Sequence, residues 1–144
     1  MCAEPSTSIA GAGRMIVVDA SCLFEIVADT TSSGPIAARL AADPDHSAPH
    51  AVDAEVLGVI RRYWLTGALD DTAAAQAVDD LADWPGERYG HSALLPRAWE
   101  LRRSVRSWDA LYVALAEALD ATLVTTDARL AAAEGPRCTI DVLD

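Results

Sequence analysis

The sequence predicts an α/β fold in which a central, mostly parallel five-stranded sheet is flanked by helices on both faces. Short runs of β-branched residues alternate along the chain with longer alanine-rich segments of helical character. Such alternation is typical of strand–helix–strand units, whose strands run parallel. A length of 144 residues, with 51% hydrophobic and 23% charged residues, fits one domain with one substantial core.

Strands and helices follow from local composition and periodicity. The stronger strand candidates are residues 16–18, 123–125 and 139–142, and the weaker ones are 47–49 and 87–89. Helices are predicted at residues 21–28, 35–42, 50–65, 71–83, 93–105, 108–119 and 128–133. Because Gly and Pro only separate these elements, residues 15–144 are expected to form a single domain.

The N-terminal segment and the cysteines indicate the compartment. Residues 1–14, MCAEPSTSIAGAGR, lack the basic and apolar parts of a secretion signal, so we expect a disordered tail or an upstream start. Cys2, Cys22 and Cys138 are odd in number and widely spaced, which disfavours a disulfide framework or a zinc site. The longest apolar stretch is interrupted by acids, so no membrane span is expected. A cytoplasmic protein with reduced thiols fits best.

The charge balance disfavours a broadly basic, nucleic-acid-binding surface. The net charge is −11 and the chain contains no lysine, whereas phosphate contacts normally need a basic surface. All eleven basic residues are arginine; four of them lie in residues 97–106, and Arg61 and Arg62 form a second pair. Each cluster is either a local basic patch or a solvated helix face.

Two apolar strand candidates end close to an acid. MIVVDAS contains Asp19, and TLVTTD ends on Asp127. Ligands of a parallel sheet bind beyond the carboxyl ends of its strands, so these acids are candidates for one shared crevice. Each also precedes a predicted helix, where Asp is a preferred N-cap, and capping alone explains either acid.

Two helical acids are further candidates. Asp109 projects to the same side of its helix as Tyr112 and Val113, and a carboxylate on that inner face must be paired or metal-bound. A favourable helix-dipole position in the first turn is the alternative. Glu55 lies at the margin of an apolar stripe, but Asp53 projects equally well, so periodicity does not choose between them.

The segments that carry these acids resemble, in order, the PIN-domain ribonucleases, and in particular the VapC-type toxins of bacterial toxin–antitoxin pairs. The matching segments are VVDAS, AEVLGVIRR, SWDALYVALAEAL and LVTTDARL. The resemblance implies a PIN-like domain and selects Glu55 over Asp53, so that the acidic quartet falls on Asp19, Glu55, Asp109 and Asp127. Hydroxyls at Thr125 or Thr126 would orient a carboxylate or a metal-bound water. Trp108 departs from the family, which often has a smaller or polar residue there.

The resemblance also implies a metal-dependent endoribonuclease that leaves a 5′-phosphate and a 3′-hydroxyl. Carboxylate oxygens without His or Cys suit Mg²⁺, or Mn²⁺, rather than zinc. We expect Asp19, Asp109 and Asp127 to bind the metal, and Glu55 to place or deprotonate the attacking water or to help hold a second ion.

Two protein partners are expected besides the RNA substrate. The resemblance implies a small DNA-binding antitoxin, and a strongly negative pocket predicts that an arginine-bearing segment of it enters among the acids. A homodimer is also predicted, because Trp64, Trp84 and Trp99 add to an apolar helical surface. Ordinary core positions would explain the same tryptophans.

Two other classes of function also use an acidic crevice. A phosphotransfer domain is disfavoured: a receiver domain needs a lysine after a late strand, and a haloacid-dehalogenase-like phosphatase needs a second Asp where this chain has Ser21. A non-catalytic domain that binds a basic partner peptide remains open. Metal-dependent RNA cleavage that is lost in EDTA would distinguish an enzyme from such a domain.

Overall fold

The computed structural model describes residues 15–144, so the predicted tail at 1–14 lies outside the described residues. The strands are β1 (Met15–Val18), β2 (Asp45–Pro49), β3 (Glu87–Tyr89), β4 (Thr122–Thr125) and β5 (Ile140–Val142). The α-helices are α1 (Ala20–Val27), α2 (Ser33–Ala41), α3 (Ala51–Leu65), α4 (Asp71–Asp83), α5 (Leu95–Glu100), α6 (Ser107–Leu119) and α7 (Ala128–Ala132). The predicted α/β class and the five strands are confirmed.

The sheet has the strand order β3-β2-β1-β4-β5, and every described pair of neighbours is parallel. Along the chain, β2 and β3 are added on one side of β1, and β4 and β5 are then added on its other side. The direction in which strands are added therefore reverses, and the switch point lies between β1 and β4. The carboxyl ends of β1 and β4 therefore flank the crevice in which ligands of such sheets bind.

The core lies on both faces of the two central strands. Residues 16–18 of β1 and residues 123–125 of β4 are all buried, and successive side chains of a strand point to opposite faces. Helix α6 covers β1, β2 and β4, and α1 contacts β4 and packs against α3 and α4. Residues 110–116 of α6 are all buried. No described helix is long and apolar enough to cross a membrane.

The helix predicted at residues 93–105 is wrong in extent. The chain forms a 3₁₀ turn (Ser92–Leu94) and then α5, which ends at Glu100. Pro96 lies in the first turn of α5, where its missing N–H costs nothing. The following residues form turns that are anchored by buried Leu101 and Val105. Most other helix ends agree with prediction to within two residues.

The tryptophans differ in exposure. Trp99 is 67% exposed and Trp64 is 47% exposed, whereas Trp84 is partly buried against the core. Core packing therefore does not explain Trp64 or Trp99. The homodimer remains a prediction.

The central strands should dominate stability. Leu123 of β4 is fully buried, so Leu123→Ala is expected to lower the free energy of unfolding by about 2–5 kcal/mol, through lost transfer energy and the cavity left behind. Denaturant unfolding measures this loss. Leu65→Ala is the control, because Leu65 is 56% exposed and its loss should change stability by at most about 0.5 kcal/mol. Equal losses in the two variants would contradict the assignment of the core.

Candidate active site

Asp19 is the best-anchored acid of the site. It directly follows β1, is only 6% exposed, and its backbone N–H donates to the Val124 carbonyl at 2.9 Å. Its Oδ2 accepts hydrogen bonds from Thr125 Oγ1 at 2.6 Å and from Ser21 Oγ at 3.0 Å. Asp19 stands at the N-cap position of α1, but its side chain makes no capping hydrogen bond. Helix capping therefore does not explain this carboxylate.

The environment of Asp19 opposes its negative charge. Burial raises the pKa of the carboxyl, the hydrogen bonds from Thr125 and Ser21 lower it, and the charge of Asp109 raises it again; the net direction is upward. A nearby cation stabilises the charged form of a buried carboxylate whose pKa is raised. The site is therefore suited to a positively charged ligand.

Glu55 is held by a buried tyrosine of α6. Tyr112 OH donates to Glu55 Oε1 at 2.8 Å, and the tyrosine ring is fully buried. Burial is the main cause that raises the pKa of Glu55 to about 7, and the charges of Asp19 and Asp109 act in the same direction. The charges of Asp19 and Asp109 thus disfavour ionisation of Glu55, although the three acids come from different elements of the chain.

Asp109 lies in the first turn of α6 with its side chain 22% exposed. Burial raises its pKa, Arg106 lowers it, and Asp127 raises it, with a net upward shift. Arg106 Nε lies 3.6 Å from Asp109 Oδ2, but the Arg106 side chain is 74% exposed. The charge of Asp109 thus acts on the pKa of buried Asp19, and the charge of the partly exposed Asp127 acts on the pKa of Asp109.

The Asp127 carboxylate both caps a helix and lines a pocket. Its Oδ1 accepts from the Arg129 backbone N–H at 3.0 Å, which caps α7, and Arg129 Nε lies 3.2 Å from the same oxygen. These contacts with Arg129 lower the pKa of Asp127. The capping interpretation thus holds for Asp127. Its carboxylate also lines a pocket of about 190 Å³ together with Asp109, Arg106 and Arg129.

Two hydroxyl groups join the ends of β1 and β4. Thr125 Oγ1 donates to Asp19 and accepts from the Asp127 N–H at 3.0 Å. Ser21 Oγ also donates to Asp19, and it accepts from the Thr126 N–H at 3.1 Å. Of the two threonines named from sequence, only Thr125 uses its hydroxyl in this network.

Three residues of the site were not predicted from sequence in their observed roles: Ser21, Tyr112 and Arg106. Ser21 could have been found from its position two residues after Asp19, a spacing at which a hydroxyl can reach back to a carboxylate. The spacing of Tyr112 and Asp109 on one helix face indicated proximity, but it did not identify Glu55 as the partner of the hydroxyl.

Asp53 has a different partner from Glu55. Arg88 donates to both of its carboxylate oxygens, from Nε at 3.1 and 3.0 Å and from Nη2 at 2.9 Å. The same guanidinium also donates to the carbonyls of Trp84 and Leu81. Asp53 therefore ties α3 to the segment that follows α4, and its carboxylate is already engaged.

The donor set fits a hard divalent cation. Asp19, Asp109 and Asp127 offer only oxygen, and the raised pKa values of the first two favour a bound cation. Within residues 15–144, no three His, Cys, Asp or Glu side chains are placed so that they could hold a metal by themselves. Mg²⁺ commonly uses one or two carboxylates and completes its shell with water and substrate phosphates, so a closed cage is not needed.

The fold and this acidic crevice define a small α/β protein with carboxylates at the carboxyl edge of its sheet, and sequence comparison gives the family. Residues 16–136 match the PIN domain, and the chain belongs to the PIN-domain family. It is 41% identical to Ribonuclease VapC1 of Mycobacterium tuberculosis over 128 residues, which cover 88% of this chain and 96% of the relative. The chain is therefore a PIN-domain protein of the VapC type, as the motifs implied.

Solved structures agree on the fold. The M. tuberculosis toxin VapC20, described as cleaving the sarcin–ricin loop, matches with a TM-score of 0.63 and 18% identity, covering 81% of this chain and 93% of that one. VapBC2 from Rickettsia felis, bound to a promoter DNA fragment, matches with a TM-score of 0.65 and 18% identity, covering 90% and 99%.

Glu55 should make stability depend on pH. Its pKa is about 7 in the folded protein and near the ordinary value of 4.5 when unfolded, so its stabilising contribution is complete below that lower value and is lost as pH rises through about 7. Glu55→Gln removes this titration. The variant should therefore gain stability relative to the parent protein as pH rises from about 4 to about 8.

Denaturant unfolding at the two pH values measures this gain. Asp53→Asn is the matched control on the same helix; it breaks the ion pair with Arg88, so it should lower stability and show no comparable gain. A difference between Glu55→Gln and the parent that is the same at both pH values would contradict the assigned environment of Glu55.

Proposed function

We propose that this protein is a metal-dependent endoribonuclease, the toxin of a toxin–antitoxin pair, whose active site is formed by Asp19, Glu55, Asp109 and Asp127. The observation that carries the proposal is that Thr125 hydrogen-bonds to both Asp19 and Asp127, which places two acids from distant segments at the carboxyl edge of the sheet in a chain of the VapC type. RNA as the substrate is supported by the VapC ribonucleases to which the chain is similar.

Asp19, Asp109 and Asp127 would bind Mg²⁺, or Mn²⁺, together with water and substrate phosphate oxygens, because the carboxylates are not placed to hold an ion by themselves. When bound, such an ion lowers the pKa of a water ligand and neutralises charge on the phosphate. The protein contributes rigid placement, because Thr125 and Ser21 fix one oxygen of Asp19 and leave Oδ1 for another partner.

Glu55 is proposed as the group that accepts a proton from the attacking water. Tyr112 fixes Oε1, so Oε2 is the oxygen available for this step. A pKa of about 7 suits a general base at neutral pH, because the group is partly ionised and still basic enough to take a proton. Cleavage would leave a 5′-phosphate on one RNA fragment and a 3′-hydroxyl on the other.

Arg106 and Arg129 are proposed to contact the substrate phosphate at the pocket rim. Both line the pocket with Asp109 and Asp127, and their side chains are 74% and 79% exposed. A guanidinium can bind two phosphate oxygens at once, so these side chains would offset repulsion between the acids and RNA.

A non-catalytic acidic crevice that binds a basic peptide is the second candidate. The observation in its favour is that Asp109 and Asp127 already contact guanidinium groups of this chain. Cleavage of RNA by the purified protein with Mg²⁺, and its loss in EDTA, would distinguish the two.

Neutral variants of the acids should stop cleavage. Asp19→Asn, Asp109→Asn and Asp127→Asn are each expected to abolish RNA cleavage, and Glu55→Gln to reduce it severely, because each removes a charge or a base from the site. Asp53→Asn should be nearly neutral for cleavage, since Arg88 engages that carboxylate. Gel analysis of RNA products with Mg²⁺ measures the effect.

Stability separates lost chemistry from lost folding. Asp19→Asn should leave unfolding unchanged or raise stability, because burial opposes the native charge, whereas Asp127→Asn should not raise it, because Arg129 stabilises that charge. Full cleavage by any of the three Asp variants would remove that acid from the site. A severe effect of Asp53→Asn with a mild effect of Glu55→Gln would reverse the choice between them.

We propose that the cognate antitoxin inhibits by placing an arginine among Asp19, Asp109 and Asp127. The contacts of Arg106 with Asp109 and of Arg129 with Asp127 support the proposal, because they indicate that a guanidinium fits beside these carboxylates. A cation in this place would compete with the metal for the same oxygens.

Replacing each arginine of the bound antitoxin segment by alanine should identify one whose loss abolishes inhibition of RNA cleavage. Added Mg²⁺ should then weaken inhibition by the unaltered antitoxin, as measured by titrating cleavage. If every arginine variant inhibits fully and Mg²⁺ has no effect, the antitoxin acts by covering the RNA entry route from outside.

A further inference from the structure

An apolar groove adjoins the carboxylate pocket. It has a volume of about 610 Å³ and lies between α5 and the start of α6. Its apolar surface comes from Leu95, Trp99, Trp108 and Leu111. Trp99 is 67% exposed and Trp108 is 54% exposed, so two large aromatic rings face solvent in one groove.

The groove and the carboxylate pocket share a wall. Val105 and Arg106 line both cavities, and Trp108 directly precedes Asp109 in α6. A chain that places one phosphate at the carboxylates can therefore pass over Arg106 and place its neighbouring unit in the groove. This continuity relates the groove to the proposed reaction.

The groove carries positive charge in a chain whose net charge is −11. The Arg102 guanidinium lies 4.4 Å from the centre of the Trp99 ring, in a cation–π contact. Arg106 also lines the groove, and its side chain is exposed. Aromatic rings combined with arginine are the combination by which proteins bind unpaired bases and the phosphates that join them.

We infer that this groove binds an unpaired base of the RNA, next to the scissile phosphate, by stacking on Trp108 and Trp99. The inference rests on the proposed ribonuclease function and adds a substrate-positioning subsite to it. Arg106 bridges the two cavities and contacts the intervening phosphate. The enzyme thus selects single-stranded RNA, because a base inside a duplex cannot enter the groove.

Charge favours RNA over a second copy of this chain in the groove. A symmetric contact of two such grooves would bring Arg102 and Arg106 of one copy towards the same residues of the other, and like charges repel. An RNA strand instead supplies negative phosphates between its flat bases. The groove is therefore complementary to RNA in both shape and charge.

The test measures binding of a short single-stranded RNA that carries 2-aminopurine, in an Asp19→Asn background that prevents cutting. Trp108→Ala and Trp99→Ala should each raise the Kd by roughly tenfold, because each removes a stacking surface. Trp108→Phe should restore most of the affinity, and the 2-aminopurine fluorescence should be quenched only when the rings are present. Trp64→Ala is the control, since Trp64 is exposed near the C-terminus of α3 and does not line the groove.

The outcomes separate the possible occupants. Unchanged Kd values for the RNA in Trp108→Ala and Trp99→Ala would overturn the inference. That holds even if the same variants dissociate a dimer or weaken binding of the antitoxin. Equally tight binding of duplex RNA of the same sequence would also overturn it.

Cleavage assays separate this inference from the proposed function. If the wild-type protein cuts RNA with Mg²⁺ and the Trp variants keep the same KM, the subsite is wrong and the ribonuclease stands. If the wild-type protein quenches 2-aminopurine but never cuts RNA, the subsite stands and the ribonuclease is wrong. A raised KM with a nearly constant kcat in Trp108→Ala is the expected result.

Discussion

The hydrogen bond from Thr125 to Asp19 is the contact on which the acidic site depends. It joins the carboxyl ends of β1 and β4, between which the sheet reverses its winding. The same hydroxyl accepts from the Asp127 N–H, so one side chain sets the positions of two acids from distant parts of the sequence. Because both strands are buried on both faces, neither end can shift without disturbing the core.

This placement concentrates like charge where burial already disfavours it. The pKa values of Asp19, Glu55 and Asp109 are all raised, with burial as the first cause and neighbouring carboxylates adding to it. The free energy that such a cluster costs is offset in the apolar core, which includes residues 110–116 of α6. A cation at the site relieves the repulsion, so binding and stability are coupled.

Much of the fold could be predicted from the sequence because its strands are short β-branched runs between helical segments. Asp19 and Asp127 could be placed at one edge, since parallel strands end on the same side. The sequence could not show that the Asp127 side chain caps its helix whereas the Asp19 side chain makes no capping hydrogen bond, because that depends on the orientation of each side chain. Nor could it assign Arg88 to Asp53, a contact between elements far apart in the chain.

Net charge was a poor guide to the local surface, because two sets of arginines in this chain have different surroundings. Arg39, Arg88 and Arg97 are each bound to acids of other elements, at distances of 2.5–2.9 Å, and they stabilise the fold. Three others line the carboxylate pocket or its neighbouring groove: Arg102, Arg106 and Arg129.

The cluster in residues 97–106 is therefore neither a uniform basic patch nor a solvated helix face. Arg97 binds Glu117 of α6, whereas Arg102 stacks on an exposed indole and Arg106 stands between two cavities. A polyanion near this edge would interact mainly with these nearby side chains, because salt largely screens charges that are farther than about 10 Å away. An acidic protein can thus present a basic rim around an acidic centre, which favours contact with phosphates at the rim and a metal ion within it.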